Sequence, residues 1–141
     1  MPELPEVEVV RLGLAPAVTG AVITELAVLE ARSLRRHDGP AEDFVDRLRG
    51  ARLLAPQRRG KFLWVPLADS TDGVDEALVV HLGMSGQVLL RTPDVEDERT
   101  RIRFALEHPE HGALRVNFVD QRIFGSMAID PFVPAADGHG R

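Results

Sequence analysis

Arg101-Ile-Arg-Phe-Ala-Leu-Glu107 and, five residues on, Ala113-Leu-Arg-Val-Asn-Phe118 decide the fold. In the first stretch Ile102, Phe104 and Leu106 alternate with Arg101, Arg103 and Glu107. In the second, Leu114, Val116 and Phe118 alternate in the same way. Successive side chains of a strand point to opposite faces, so a period of two gives each stretch one apolar and one polar face. His108-Pro-Glu-His-Gly112 between them reads as a turn, and the pair becomes an antiparallel hairpin with one buried face. Such a face needs a second layer of structure to cover it.

Working outward, the segments 52–57, 62–68, 77–82 and 86–91 are apolar and rich in branched residues, and 22–29 and 125–130 read as strands as well. Two segments are helical. In the first twenty residues Leu4, Val7, Val10, Leu14 and Val18 recur at steps of three and four, with Pro5 allowed in the first turn. Pro16 is expected to end or kink this helix, and Gly20 closes the segment. A second short helix covers 41–49, with Pro40 in its first turn, Phe44, Val45 and Leu48 as its apolar positions and Gly50 just past its end. The expected architecture is mainly β (α+β): a two-layer antiparallel β-sandwich or flattened barrel of seven or eight strands, with an N-terminal helix and a second short helix. Residues 1–131 form the domain. Residues 132–141, rich in Pro, Gly and Ala, read as the start of a linker, and the acidic stretch 92–99 reads as a mobile loop.

The chain has 141 residues, 44% apolar and 28% charged, a globular composition that argues against disorder. No apolar run approaches the ~20 residues that span a bilayer, and the N-terminus lacks a secretory layout, so the expected location is the cytoplasm. The absence of cysteine excludes disulfides, thiolate zinc sites and thiol catalysis within this chain. The net charge of −5 does not advertise a nucleic-acid binder, but it conceals segregation. Six basic residues and no acid lie between Arg47 and Lys61; Arg32, Arg35 and Arg36 form another basic group; Asp69 to Glu98 holds eight acids against Arg91 alone. Segregated charge gives either one basic face or two solvated patches. Lys61 is the single lysine beside sixteen arginines.

Four places carry candidate chemistry. Once an initiator methionine is trimmed, Pro2 presents a secondary amine that titrates near ~7.7–8.0 and attacks electrophilic carbon to form an iminium. Glu3 and Glu6 beside it are candidate proton carriers, favoured at the positive end of a helix. Equally, many chains begin Met-Pro to no purpose. His81-Leu-Gly-Met-Ser-Gly86 places two glycines and Met84 in a tight turn between strands, either a ligand-approaching loop or an ordinary hairpin. Asp120-Gln-Arg-Ile-Phe-Gly125 offers Arg122 and Phe124, a cation and an aromatic of the kind that wedges into unstacked DNA, or else a loop tip without a role. His108 and His111, with Glu107 and Glu110, read as a solvated hairpin tip rather than a metal site.

Together the motifs Met-Pro-Glu-Leu-Pro-Glu-Val-Glu at 1–8, Arg-Arg-Gly-Lys-Phe-Leu at 58–63, His-Leu-Gly-Met-Ser-Gly at 81–86 and Asp-Gln-Arg-Ile-Phe-Gly at 120–125 resemble the N-terminal half of the formamidopyrimidine-DNA glycosylase/endonuclease VIII family. They occur in family order over nearly the whole chain, and Leu4-Pro5 is similar to the formamidopyrimidine branch. The resemblance implies a bifunctional DNA glycosylase/AP lyase of base excision repair, removing oxidised purines (formamidopyrimidine, 8-oxoguanine) through a proline Schiff base. It implies Pro2 as nucleophile, Glu3 as acid/base, Glu6 as support, and Lys61 as the contact to a phosphate beside the lesion. It further implies His81 near the DNA strand, and Met84, Arg122 and Phe124 in the space left by a flipped base. Gln121 and Ile123 depart from the family's usual Pro and Arg.

The implied partner is double-stranded DNA with an oxidised purine or abasic site, bound by a monomer with no membrane contact. No cofactor or metal is implied in this chain. The family's helix–two-turn–helix and zinc-finger half has no counterpart in these residues, so the isolated domain is expected to be weak or inactive. The competing readings are a catalytically incompetent orphan or truncated DNA-binding domain of the same family, and a tautomerase-type enzyme using Pro2 as a general base.

Overall fold

The computed structural model describes residues 4–59, 62–68, 76–83, 86–123 and 125–131. Its elements are helix α1 (Leu4–Val18), strand β1 (Val22–Val28), a 3-10 turn (Ala31–Leu34), helix α2 (Ala41–Leu48), and strands β2 (Gln57–Arg59), β3 (Phe62–Pro66), β4 (Glu76–His81), β5 (Gly86–Arg91), β6 (Thr100–His108), β7 (Gly112–Asp120) and β8 (Ser126–Pro131). They build two four-stranded antiparallel sheets, in the orders β1-β6-β7-β5 and β2-β3-β4-β8. No described helix is long and apolar enough to cross a membrane.

The hairpin that opened the sequence reading is the centre of the first sheet. Ile102 pairs with Phe118, Phe104 with Val116 and Leu106 with Leu114, and the burial of β6 alternates as its sequence does. Strand β1 obeys the same rule after one interruption. A bulge between Ile23 and Glu25 puts Thr24 and Glu25 on the outside in succession, which returns Leu26 to the core beside Ile23. The second sheet supplies Leu63, Val65, Leu78, Val80, Met127 and Ile129 to the same core, and α1 adds Leu14 and Val18.

Four expectations change. Helix α1 continues through Pro16 to Val18; the proline removes only the bond to the Leu12 carbonyl, on an exposed turn where water replaces it. Segment 52–57 is not a continuous strand. Arg52 bridges to Val22 and Leu53 to Leu67, so the chain crosses between the sheets, and β2 starts only after Pro56, which has no N–H for a ladder. Pro40 stands one residue before α2, as its N-cap. Finally, 92–99 is tied down across the outer face of the first sheet. Asp97 accepts from the Asn117 side-chain amide at 2.8 Å and pairs with Arg91, while Glu96 pairs with Arg103 and Arg115. The Asn117 amide and the Arg91 guanidinium hold the Asp97 carboxyl below the usual carboxylate range. The polar face of the hairpin is thus a docking surface for the acids, not a solvated one.

His108 also differs from its expected place at a solvated tip, being 6% exposed. Its Nδ1 accepts the backbone N–H groups of Glu110 and His111, and Nε2 lies 3.1 Å from the Thr19 carbonyl. The ligand atoms of His108, Glu110 and His111 lie within 4.8 Å of one another, but both ring nitrogens of His108 are committed to backbone, which leaves it none for an ion. At the far edge of the second sheet, the Ile129 N–H on β8 donates to Nδ1 of His37, whose Nε2 donates to Asp43 at 2.9 Å. This imidazole caps an edge donor that would otherwise be open to another chain.

Candidate functional site

Antiparallel register sends three connections to one end of the sandwich. Phe62, His81 and Ser126 lie in one row across β3, β4 and β8, and Gly86 pairs with Asp120 across β5 and β7. The β2–β3 turn, the β4–β5 loop and the β7–β8 loop therefore leave the sheets at the same level. The sequence places Lys61, Met84 and Phe124 in these three connections. Those residues, with Pro2 and Glu3, lie outside the described residues. Glu6 is in the first turns of α1, and its side chain is likewise outside them. Of the expected site residues, His81 and Arg122 are described. His81 ends β4, half-buried, with its ring 4.9 Å from that of Phe62. Arg122 is exposed in the β7–β8 loop. Beside His81 an open groove of about 410 Å³ is lined by Arg36, Phe62, Ser126 and Asp130.

Two glycines let the loops meet. The Gly86 N–H bonds the Leu82 carbonyl at 2.8 Å, closing the β4–β5 turn, and a Cβ on Gly86 would lie 2.3 Å from that oxygen. A Cβ on Gly125 would lie 2.7 Å from the His81 carbonyl and 2.9 Å from that of Leu82. The β4–β5 and β7–β8 loops are thus packed backbone to backbone, which no side chain larger than hydrogen permits. Asp120 fastens the second loop: fully buried, it accepts the Gly125 N–H at 2.7 Å and the Arg122 N–H at 3.3 Å. Sequence reasoning quoted Asp120 and Gly125 as part of a motif without giving either a task. The available signal was an Asp at the head of a loop, a residue type whose side chain bonds the backbone two residues on, here the Arg122 N–H.

Helix α1 is anchored beside this end. Glu8 bonds Arg11 one turn on and Arg58 of β2 at 3.2 Å, so the N-terminal half of the helix lies against the strand that runs into the Lys61 turn. The hydrogen bonds from Arg11, then those from Arg58, hold the Glu8 carboxyl down to about 2. A depressed carboxylate pKa contributes stability above its unfolded value, ~4.5, and loses it as pH falls through the folded one. Side-chain carboxyl NMR is expected to show Glu8 titrating near 2. Arg58→Gln should raise that midpoint only in part, because Arg11, the larger cause, stays in place, and a Glu8 midpoint that does not move in Arg58→Gln would remove the anchor.

The basic run is mostly neutralised inside the fold. Arg47 pairs with Asp43 and Glu76, Arg49 with Glu25, and Arg58 with Glu8, while Arg52 bonds the Gly20 carbonyl. Among the described residues of the run, Arg47, Arg49 and Arg58 are thus paired with acids, while Arg52 keeps its charge against an uncharged carbonyl. Arg99, by contrast, is exposed at the loop end with φ +61°, and its carbonyl bonds the Asp120 N–H.

A two-layer antiparallel sandwich with three loops gathered at one end and a helix start anchored beside them is a site-bearing N-terminal module. The chain belongs to the formamidopyrimidine-DNA glycosylase N-terminal domain family, whose model matches residues 1–127. It is 61% identical over 139 residues to formamidopyrimidine-DNA glycosylase of Leifsonia xyli subsp. xyli, covering 98% of this chain and 46% of that protein. It is 45% identical over 137 residues to the Streptomyces avermitilis enzyme of that name, covering 95% and 45%. Among solved structures it is similar to Lactococcus lactis Fpg in complex with Fapy-dG-containing DNA, with TM-score 0.78, 26% identity and coverage of 92% and 44%. It is also similar to the same protein with DNA containing an abasic site, with TM-score 0.79, 26% identity and the same coverage. The chain spans less than half the length of the curated relatives it matches.

Proposed function

We propose that this chain is the catalytic N-terminal half of a bifunctional DNA glycosylase/AP lyase of base excision repair that acts on oxidised purines in duplex DNA. The observation that carries the reading is the convergence of three loop connections at one end of the sandwich, with α1 anchored beside them by Glu8 and Arg58. The motif residues Lys61, Met84, Arg122 and Phe124 belong to those connections in sequence, and Pro2 and Glu3 precede α1. The names of the relatives and the DNA complexes of the solved structures support the same reading.

In this mechanism Met1 is removed and the Pro2 nitrogen attacks C1′ of the damaged nucleotide. The C1′–base bond breaks, and the sugar opens to an iminium with Glu3 assisting the proton transfers. The iminium's positive charge acidifies the C2′ proton, and its loss begins strand elimination. Lys61 holds a phosphate beside the lesion as a compact ammonium. Met84, Arg122 and Phe124 occupy the space left in the stack.

The test is borohydride trapping on abasic duplex, with this chain joined to the C-terminal half of the Leifsonia relative. A covalent adduct is expected, and Pro2→Gly should reduce it at least about tenfold, because a flexible primary amine replaces a constrained secondary one. Undiminished trapping in Pro2→Gly would show another amine to be the nucleophile. Duplex binding without any adduct in the parent would establish the catalytically incompetent, DNA-binding alternative.

A further inference from the structure

We propose that Arg35 and Arg101 are positioning residues that clamp the 121–125 loop from its two sides and hold Arg122 in a presenting conformation. The loop crosses from the last residue of β7 in one sheet to the first of β8 in the other. On the first-sheet side, the Arg101 guanidinium donates to the Asp120 carbonyl at 2.7 Å and to the Gln121 carbonyl at 3.4 Å. On the other side, the Arg35 guanidinium donates to the Gly125 carbonyl at 2.9 Å and the Ile123 carbonyl at 3.2 Å.

Arg101 reaches the loop because it is the extra residue of a β-bulge. Thr100 pairs with Val119 and Ile102 with Phe118, which leaves Arg101 opposite nothing and free to be re-aimed. Its carbonyl also accepts the N–H groups of Leu29 and Glu30, at 2.8 and 3.1 Å. Those residues lead into the 3-10 turn, whose next residue is Arg35. The two arginines are therefore two ends of one framework: Arg101 fixes the segment that aims Arg35, and both grip the loop.

The loop needs gripping. Ile123 has φ +58°, a left-handed conformation that is a genuine outlier for a β-branched residue and is strained. Such strain persists only where the surroundings over-determine the backbone. Here four carbonyl bonds from two guanidinia and the Asp120 carboxylate do so. Both clamps donate from a charged guanidinium to uncharged carbonyls. Charge and geometry are thus carried by the same side chains, and Arg101→Lys separates them. At Arg101 the two carbonyls are taken by Nε and Nη2 of one planar fork, which lysine lacks; Arg35 reaches both of its carbonyls from Nη1 alone, and the shorter glutamine withdraws that donor.

The inference rests on the proposed DNA function, and its test tells the two apart. This chain, joined to the C-terminal half of the Leifsonia relative, is titrated at low salt into a duplex with 2-aminopurine opposite a tetrahydrofuran abasic analogue; displacement of that base from the stack by the inserted loop raises its fluorescence. Arg101→Lys is expected to keep the parental affinity and salt slope while lowering the saturating fluorescence rise at least about threefold. Arg35→Gln, which withdraws the donor to the Gly125 and Ile123 carbonyls, should lower the affinity and the fluorescence rise together. Circular dichroism and thermal unfolding show that each variant is folded. A parental fluorescence rise in folded Arg101→Lys would mean that this side chain acts only as a charge, and one in folded Arg35→Gln that its bonds do not hold the loop; either result overturns the clamp. No salt-sensitive binding by the parent would instead remove the DNA function, and the clamp with it.

Discussion

Asp120→Ala is expected to lower the unfolding free energy by about 1–3 kcal/mol, the cost of leaving a buried donor unsatisfied. Asp120 is fully buried, and its carboxylate accepts the Gly125 N–H at 2.7 Å and the Arg122 N–H at 3.3 Å. Alanine leaves the Gly125 N–H, itself at a buried position, without that acceptor. It also frees the loop whose backbone packs against the His81 and Leu82 carbonyls. The cost therefore falls on stability and on site geometry together. Urea unfolding with an unchanged m-value measures the first, and amide exchange at Gly125 measures the second. Asp120→Asn should lie between parent and alanine, since one of its two terminal atoms is a donor that opposes an N–H. A loss below about 0.5 kcal/mol for Asp120→Ala, the scale of an ordinary surface change, would show that the loop is held without this carboxylate.

Phe104→Ala is expected to cost about 3–5 kcal/mol, toward the upper end of that range. Phe104 is 3% exposed at the centre of the first sheet, paired with Leu26 on one side and Val116 on the other. It also lines an apolar cavity of about 50 Å³ between the sheets, with Leu14, Ile23, Val80 and Met127 around it. Removing the ring joins its volume to a void that the ladders on both sides prevent from collapsing, and residual cavity volume adds roughly 24 cal/mol per Å³. Phe104→Leu, which refills part of the space, should lose less than half as much. Equal losses for the leucine and alanine variants would show that the void relaxes away, contrary to a core held by hydrogen-bonded strands.

These two residues differ in how readily they could be found. Phe104 announces itself through alternation, because a period of two is written into the chain and survives whatever packs on it. The same logic located α1, α2 and all the strands except the piece near Pro56, where a missing N–H and a crossing between sheets replaced simple pairing. The candidate site was legible as motifs, since Pro2, Lys61, His81, Met84, Arg122 and Phe124 carry distinctive chemistry in short stretches. Asp120, Arg35 and Arg101 were not. An aspartate closing a loop, an arginine after a 3-10 turn and an arginine in a bulge look like surface residues until their partners are known.

The sequence by itself determined the two-layer antiparallel sandwich, its apolar faces and the loop motifs, because local periodicity and turn chemistry act over a few residues. Only the tertiary structure decided which charges are spent inside the fold and which side chains hold the loop end. Arg58 meets Glu8 fifty residues away, Arg35 meets Ile123 eighty-eight residues away, and Asp97 meets Asn117 across the face of a sheet. A hydrogen bond requires a donor and an acceptor within about 3 Å, and no local pattern encodes which of sixteen arginines will find one. Sheet register and the bulge at Arg101 set those distances.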